Sequence, residues 1–406
     1  MTAATTSRWA RLFVAFGALS FVAWQLATLA GLPRRAGVAL GLYGFVFHVL
    51  FGKAYSLVPS YFDRQLAIPR APAVHLPLTA VGTLCLALAA ATVPGVPSLV
   101  GTAGAALWTG GVAVFLAALG WTVRDNPTGA ETATGGANEH RRPVDRWANL
   151  FVPVALAYLA VGTYGTLALW TPLPPLVDGF SPRVTHLLAA GTATLMVLAV
   201  GFRLLPRFLV ASPPRPLVAV VLPAGAVAPA ILATTLYGGI WFRVGAALEG
   251  IAVGGFAIAY LWLFRRSDRD RVGFYGVLAG AIAGLAGVAL GVVFAFDGVS
   301  APLIEAHYRL NVAGFLGLTI VGVSYQFYPP AVGSLPGVGD RTAFASIGAV
   351  AGGLALEAAG LVASEPLATT AGRTAVLLGT LCYAWVVLAL FWERHWHDQV
   401  RGERTA

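Results

Sequence analysis

Charge is what this chain has least of. Only 11% of its 406 residues are charged, against about 25% in a soluble protein. That supply cannot coat the two or three water-facing domains that the length would otherwise allow. Cysteine is nearly absent: Cys85 and Cys382 are the two, each inside an apolar run. Neither belongs to a Cys-x-x-Cys or Cys-x-x-Cys-His arrangement, so a disulfide framework, a zinc ribbon and covalent c-type haem are all unsupported. Acidic residues are outnumbered, 17 against 26 Lys and Arg, for a net charge of +9. No basic stripe with interleaved aromatics accompanies that excess, which argues against a nucleic-acid partner.

What the chain does have is apolar length. Hydrophobic residues make up 58%, gathered into runs of about 20 residues, the span of a bilayer core. The pattern predicts an all-α polytopic membrane protein with about 12 transmembrane helices, at 9–32, 37–60, 73–93, 98–122, 148–170, 184–210, 216–238, 241–264, 272–296, 302–328, 343–363 and 371–393. The first run is too long for a signal-peptide core and reads as a retained helix. The stretch 124–147 is polar, has no apolar period and reads as a loop with His140 solvated. With the N-terminus inside, the inner segments hold 20 Lys and Arg and the outer ones 6. That asymmetry predicts cytoplasmic termini in a plasma membrane and an even number of spans.

A repeat is visible within the runs. Helix two ends Gly52-x-x-Tyr55-x-x-x-Pro59 and helix ten ends Gly322-x-x-Tyr325-x-x-x-Pro329, while helix six places Phe202 four residues before Pro206. Helices two, six and ten are four apart. The chain therefore reads as one transmembrane domain, 1–406, in three pseudo-repeated groups of four helices: about 9–122, 148–264 and 272–393, with an inner loop at 123–147.

Three of the seven histidines lie in the repeated helices. His186 is 20 residues before Pro206 and His307 is 22 before Pro329, which places both near the outer end at similar depth. His48 is 11 residues before Pro59, roughly 15 Å deeper at 1.5 Å per residue. Imidazole is a common axial ligand to haem iron, and two at matched depth on repeat-related helices predict a shared ligand. His75 reads as a cap or anchor at the start of helix three. His395 and His397 read as interfacial, with metal binding as the other option. Glu249 and Glu357 lie in apolar runs, as parts of a proton path or as neutral acids hydrogen-bonded to a neighbouring helix. Lys53 is placed to snorkel to the inner face.

Helix ten, AHYRLNVAGFLGLTIVGVSYQFYPPAVG, resembles helix ten of the haem-copper oxidase catalytic subunit, in which a His-x-His pair opens the helix and an aromatic-rich segment ends it in Pro. The segment LVPSYFDRQLAIPR after helix two resembles its counterpart, and THLLAAGTATLMVLAVGFRLLPRF resembles the related NnrS proteins, which are haem- and copper-linked. The resemblance implies one b-type haem with His307 as proximal ligand and His186 as distal ligand or as a gate on bound gas (O2 or NO), with His48 a further cofactor-lining candidate. It implies that Arg309 replaces the second His of the pair and that the low-spin haem site is lost. Arg309 and Arg373 fall where haem propionates are held, ordinary interfacial snorkelling being the other reading. Copper is doubtful, because helix seven has no His and one imidazole alone is a poor copper site. A complete oxygen or nitric oxide reductase is thereby disfavoured. The implied role is redox or gas response, with a respiratory redox partner. The alternatives are a twelve-helix secondary transporter and an accessory subunit of a respiratory complex.

Overall fold

A computed structural model describes the backbone of residues 3–404 and the side chains of residues 7–394. Twelve helical spans are long and apolar enough to cross a membrane: α1 (Ser7–Leu29), α2 (Arg34–Tyr61), α3 (Ala71–Ala90), α4 (Leu99–Val123), α5 (Gly136–Ala168), α6 (Ser181–Leu209), α7 (Arg215–Thr235), α8 (Gly239–Arg265), α9 (Val272–Asp297), α10 (Ala301–Val332), α11 (Asp340–Ala363) and α12 (Pro366–Arg394). Helix is the form that apolar runs of this length take in lipid, because it satisfies every backbone group within the segment.

The helices recur in groups of four. The third and fourth helices of each group pack closely on one another, α3 with α4, α7 with α8 and α11 with α12. The groups join through α4 with α5, α8 with α9 and α12 with α1, which closes a ring. The second helix of each group lies inside that ring. Its most apolar stretch is 78% buried in α2 and 72% buried in α6 and α10, against at most 50% in any other span.

These three inner helices share a rare feature. Each contains a π-helical segment, Ala39–Phe47 in α2, Leu187–Thr194 in α6 and Leu310–Leu318 in α10. The segments end twelve, twelve and eleven residues before Pro59, Pro206 and Pro329. Such turns account for well under 1% of residues in ordinary proteins, so three at one register mark a repeated architecture. The tyrosine motif repeats as contact too. Tyr55 hydrogen-bonds His75 of α3 at 3.1 Å, and Tyr325 hydrogen-bonds Ser346 of α11 at 2.7 Å. Each hydroxyl thus ties its inner helix to the third helix of its own group.

Two expectations need correction. The stretch 124–147 is no simple solvated loop. From Gly136 it is helical, a 3-10 turn, Gly136–Arg141, and a short helix, Arg142–Asn149, that make up the first part of α5. Asp145 is 1% exposed and accepts hydrogen bonds from Thr134 and Arg207, both at 2.6 Å. Buried Arg203 donates to the Tyr61 carbonyl at 2.7 Å and to Asn149 at 2.6 Å. Arg203 and Arg207, counted in the sequence only as orientation charges, therefore tie this segment to the bundle. His140 is exposed, as expected. The last helix also runs further than 393, its backbone continuing through Arg404. The side chains of His395 and His397 lie outside the described residues.

Close helix crossings rest on glycine. At α9 against α10, a Cβ on Gly276 would sit 2.8 Å from the Gly322 Cα, with no flexible atom to yield, whereas one on Gly352 would meet nothing within 4 Å. Gly276→Leu is therefore expected to destabilise the protein by about 1–3 kcal/mol or more through overpacking. Gly352→Ala should be neutral or slightly stabilising, since it only restricts the backbone. Thermal unfolding in detergent, run side by side on the two variants, checks the contrast.

Candidate functional site

The site begins where α6 begins. Arg183, in its first turn, reaches the last turn of α7 at the Ala233 carbonyl (2.9 Å) and pairs with Asp178 in the preceding loop (3.0 Å). The guanidinium holds the exposed Asp178 carboxyl below its ordinary range. The start of α6 is thereby fixed on its neighbour, and His186 follows one turn later. Its Nδ1 lies 2.8 Å from the Pro182 carbonyl. On α10, His307 Nδ1 lies 2.8 Å from the Gly287 carbonyl of α9. Asn311, one turn on, donates to the His307 carbonyl at 2.8 Å. Two glycines on α9 make the fit possible: a Cβ at Gly291 would press on the His307 ring at 3.2 Å, and one at Gly287 would strike Asn311 at 2.5 Å.

The two bonds decide the tautomers. A carbonyl only accepts, so each Nδ1 carries the proton, and in a neutral ring each Nε2 keeps its lone pair. A backbone carbonyl accepting from one ring nitrogen is how proteins commonly orient a metal-binding histidine. The rings lie 6.5 Å apart, centroid to centroid, and within 23° of parallel. Two imidazoles on opposite sides of one metal, with bonds of about 2.0 Å, place their ring centres roughly 6.3 Å apart. Both residues are half-buried and retain accessible surface. Beside them the apolar interior is divided. A small cluster of Leu232, Leu236, Phe242, Ala246 and Phe294 is separate from the main core, and Phe294 packs on His307 at 5.4 Å. The donors, their tautomers and their spacing fit one metal held by two imidazoles. No group of three or more His, Cys, Asp or Glu placed for a metal exists among the described residues.

The other site candidates lie elsewhere. His48 does not join the pair. It is fully buried, bonded through Nδ1 to the Tyr43 carbonyl at 2.8 Å and enclosed by Phe13, Phe16, Phe51 and Trp108. His75 is no terminal anchor but an equally buried partner of Tyr55. Arg309 and Arg373 neither snorkel nor face the histidines. Both bond Glu357, Arg309 at 3.0 Å and Arg373 at 2.9 Å. The reason is angular: at about 100° per residue, position 309 points away from position 307. Glu357 is accordingly the centre of an ion cluster rather than a neutral acid. Glu249 has a buried carboxyl oxygen with no partner among the described residues, so its expected bond to a neighbouring helix is absent there. Lys53 bonds the Tyr328 hydroxyl at 2.8 Å and rests over the Phe327 and Tyr328 rings. Above it a cavity of about 110 Å³, lined by Val49, Met196, Val200 and Ile320 among others, separates α2, α6 and α10.

Sequence reasoning missed Asn311, Gly287 and Gly291. Only the regular glycines of α9, at 273, 276, 280, 284, 287 and 291, hinted that another helix lies close there. Comparison with known protein families and with curated proteins finds no match.

The Glu357 cluster carries its own test. Neutralising a buried carboxylate between two guanidiniums leaves uncompensated charge, at a cost of about 3–5 kcal/mol. Glu357→Gln should lower the unfolding temperature markedly, and Glu357→Met combined with Arg309→Met should restore part of the loss. A double variant no more stable than Glu357→Gln would contradict the pairing.

Proposed function

We propose that this chain is a membrane cytochrome that holds one b-type haem between His307 and His186, near the membrane face opposite its termini. Its role is electron transfer or the binding of a gas such as O2 or NO. The carrying observation is the near-parallel histidine pair at 6.5 Å, each ring held by a backbone carbonyl at Nδ1. Helix ten's resemblance to the haem-copper oxidase catalytic subunit supports the choice of haem, and so does the threefold recurrence of four-helix groups. The arginine asymmetry supports a cell membrane with both termini on its cytoplasmic side.

In this reading His307 is the fixed ligand, because its partner carbonyl, Gly287, belongs to a different helix. His186 is the more adaptable one, bonded within its own first turn. When bound, the iron supplies one-electron chemistry or a position for a diatomic gas. Phe294, from the separate apolar cluster, supplies an apolar wall against the His307 ring. Arg309 stands where a second haem's histidine would stand and is engaged with Glu357, so the proposal includes one haem and no copper. It is a cytochrome-like carrier or gas responder rather than a complete terminal oxidase. A secondary transporter would recur as two halves of six helices, and the groups of four give no such division.

Purified protein should show a Soret band and a pyridine haemochrome at about one haem per chain. His307→Ala should abolish that content, and His186→Ala should change the spectrum while retaining most of it. Protein that folds normally yet carries no haem after expression with ample haem supply would refute the proposal.

A further inference from the structure

A second site lies on the opposite face of α10. Four buried polar atoms without a partner belong to two facing dipeptides: Trp24 Nε1 and Gln25 Nε2 on α1, and Tyr308 Oη and Arg309 Nη1 on α10. The pairs are in contact. Arg309 donates to Gln25 Oε1 at 2.7 Å, its guanidinium lies 4.8 Å from the Trp24 ring centre, and the Trp24 and Tyr308 rings are 5.5 Å apart. On α2, a Cβ at Gly37 would come within 3.0 Å of Trp24 Nε1 and 3.2 Å of Tyr308 Oη. The glycine leaves those two groups room at one spot.

Three of the four orphan groups can only donate. What the cluster lacks is an acceptor. It also lacks negative charge. Arg309 and Arg373 share the single carboxylate of Glu357, while the nearby Arg34 is matched by Glu305 at 2.6 Å. One positive charge is left over beside side chains that are at most 1% exposed in Trp24, Gln25, Arg309 and Glu357. Water would satisfy the donors but leave the extra positive charge, which the quarter-exposed Arg373 shares, without a counterion inside the bundle. An anion answers both deficits.

We propose that the Trp24–Gln25–Arg309 cluster binds one small monovalent anion, a halide or a small oxyanion such as nitrite, reached from the face where Arg373 is a quarter exposed. The site shares no residue with the histidine pair, so its test does not depend on haem.

The experiment is a thermal-shift titration of the purified full chain in detergent with sodium chloride, bromide or nitrite, against sodium gluconate at constant ionic strength. Saturable stabilisation by a small anion is expected. Halides alone, or nitrite alone, would identify which source fits. Gln25→Leu and Trp24→Phe keep every charge and should each weaken binding about tenfold, the usual loss for a hydrogen bond to a charged group. Arg309→Met should abolish it, and if that variant fails to fold the two neutral ones still decide. No saturable shift, unchanged affinity in both neutral variants, or a crystal soaked in bromide that shows only ordered water at the cluster would overturn the proposal.

Discussion

No water is available in the core of a bilayer to satisfy a polar group, and the three inner helices carry the polar groups that most need satisfying. α2, α6 and α10 are the most buried spans and hold His48, His186, His307 and Arg309. Every one of these finds a partner on its own turn or on an adjacent helix. Those that cross between helices, His307 to Gly287 and Arg309 to Glu357, help hold the bundle in register. Tyr55 and Tyr325 reach the third helices of their groups, and Arg203 binds the folded segment at the terminal face. Among the surrounding helices, close crossings such as Gly82 on Gly104 and Gly353 on Gly372 rest on glycine.

The same constraint sorts the histidines. His48 and His75 are sealed among aromatic rings with no accessible surface, as structural residues are. His186 and His307 are held just as firmly at Nδ1 but keep some accessible surface, and their rings lie 6.5 Å apart. On α10, one helix serves two compartments. Position 307 faces α6 and α9, while positions 308 and 309 face α1 and α11. The histidine pair and the arginine cluster are thus independent, although two residues apart in sequence.

Much of the fold was legible because lipid forces it: a run of about 20 apolar residues has few alternatives to a spanning helix. The repeat was legible through Pro59, Pro206 and Pro329, which lie in or just after the last turns of their helices and therefore mark register. The π segments were not, since Ala39–Phe47 and Leu310–Leu318 look like any glycine-bearing apolar run. The matched depth of His186 and His307 was readable from helical rise. The partners of those rings were not. Gly287 contributes only a backbone carbonyl, and Glu357 lies 48 residues from Arg309. The loop reading of 124–147 failed for the same reason, because Asp145 looks like a surface charge until Arg203 and Arg207 are brought beside it.

The central claim is that two imidazoles share one iron. Low-temperature electron paramagnetic resonance of the oxidised, purified protein addresses it most directly. The account predicts a low-spin ferric signal of bis-imidazole type that becomes high-spin when His186 is replaced by alanine. A high-spin signal in the unaltered protein, unchanged by that substitution, would contradict it.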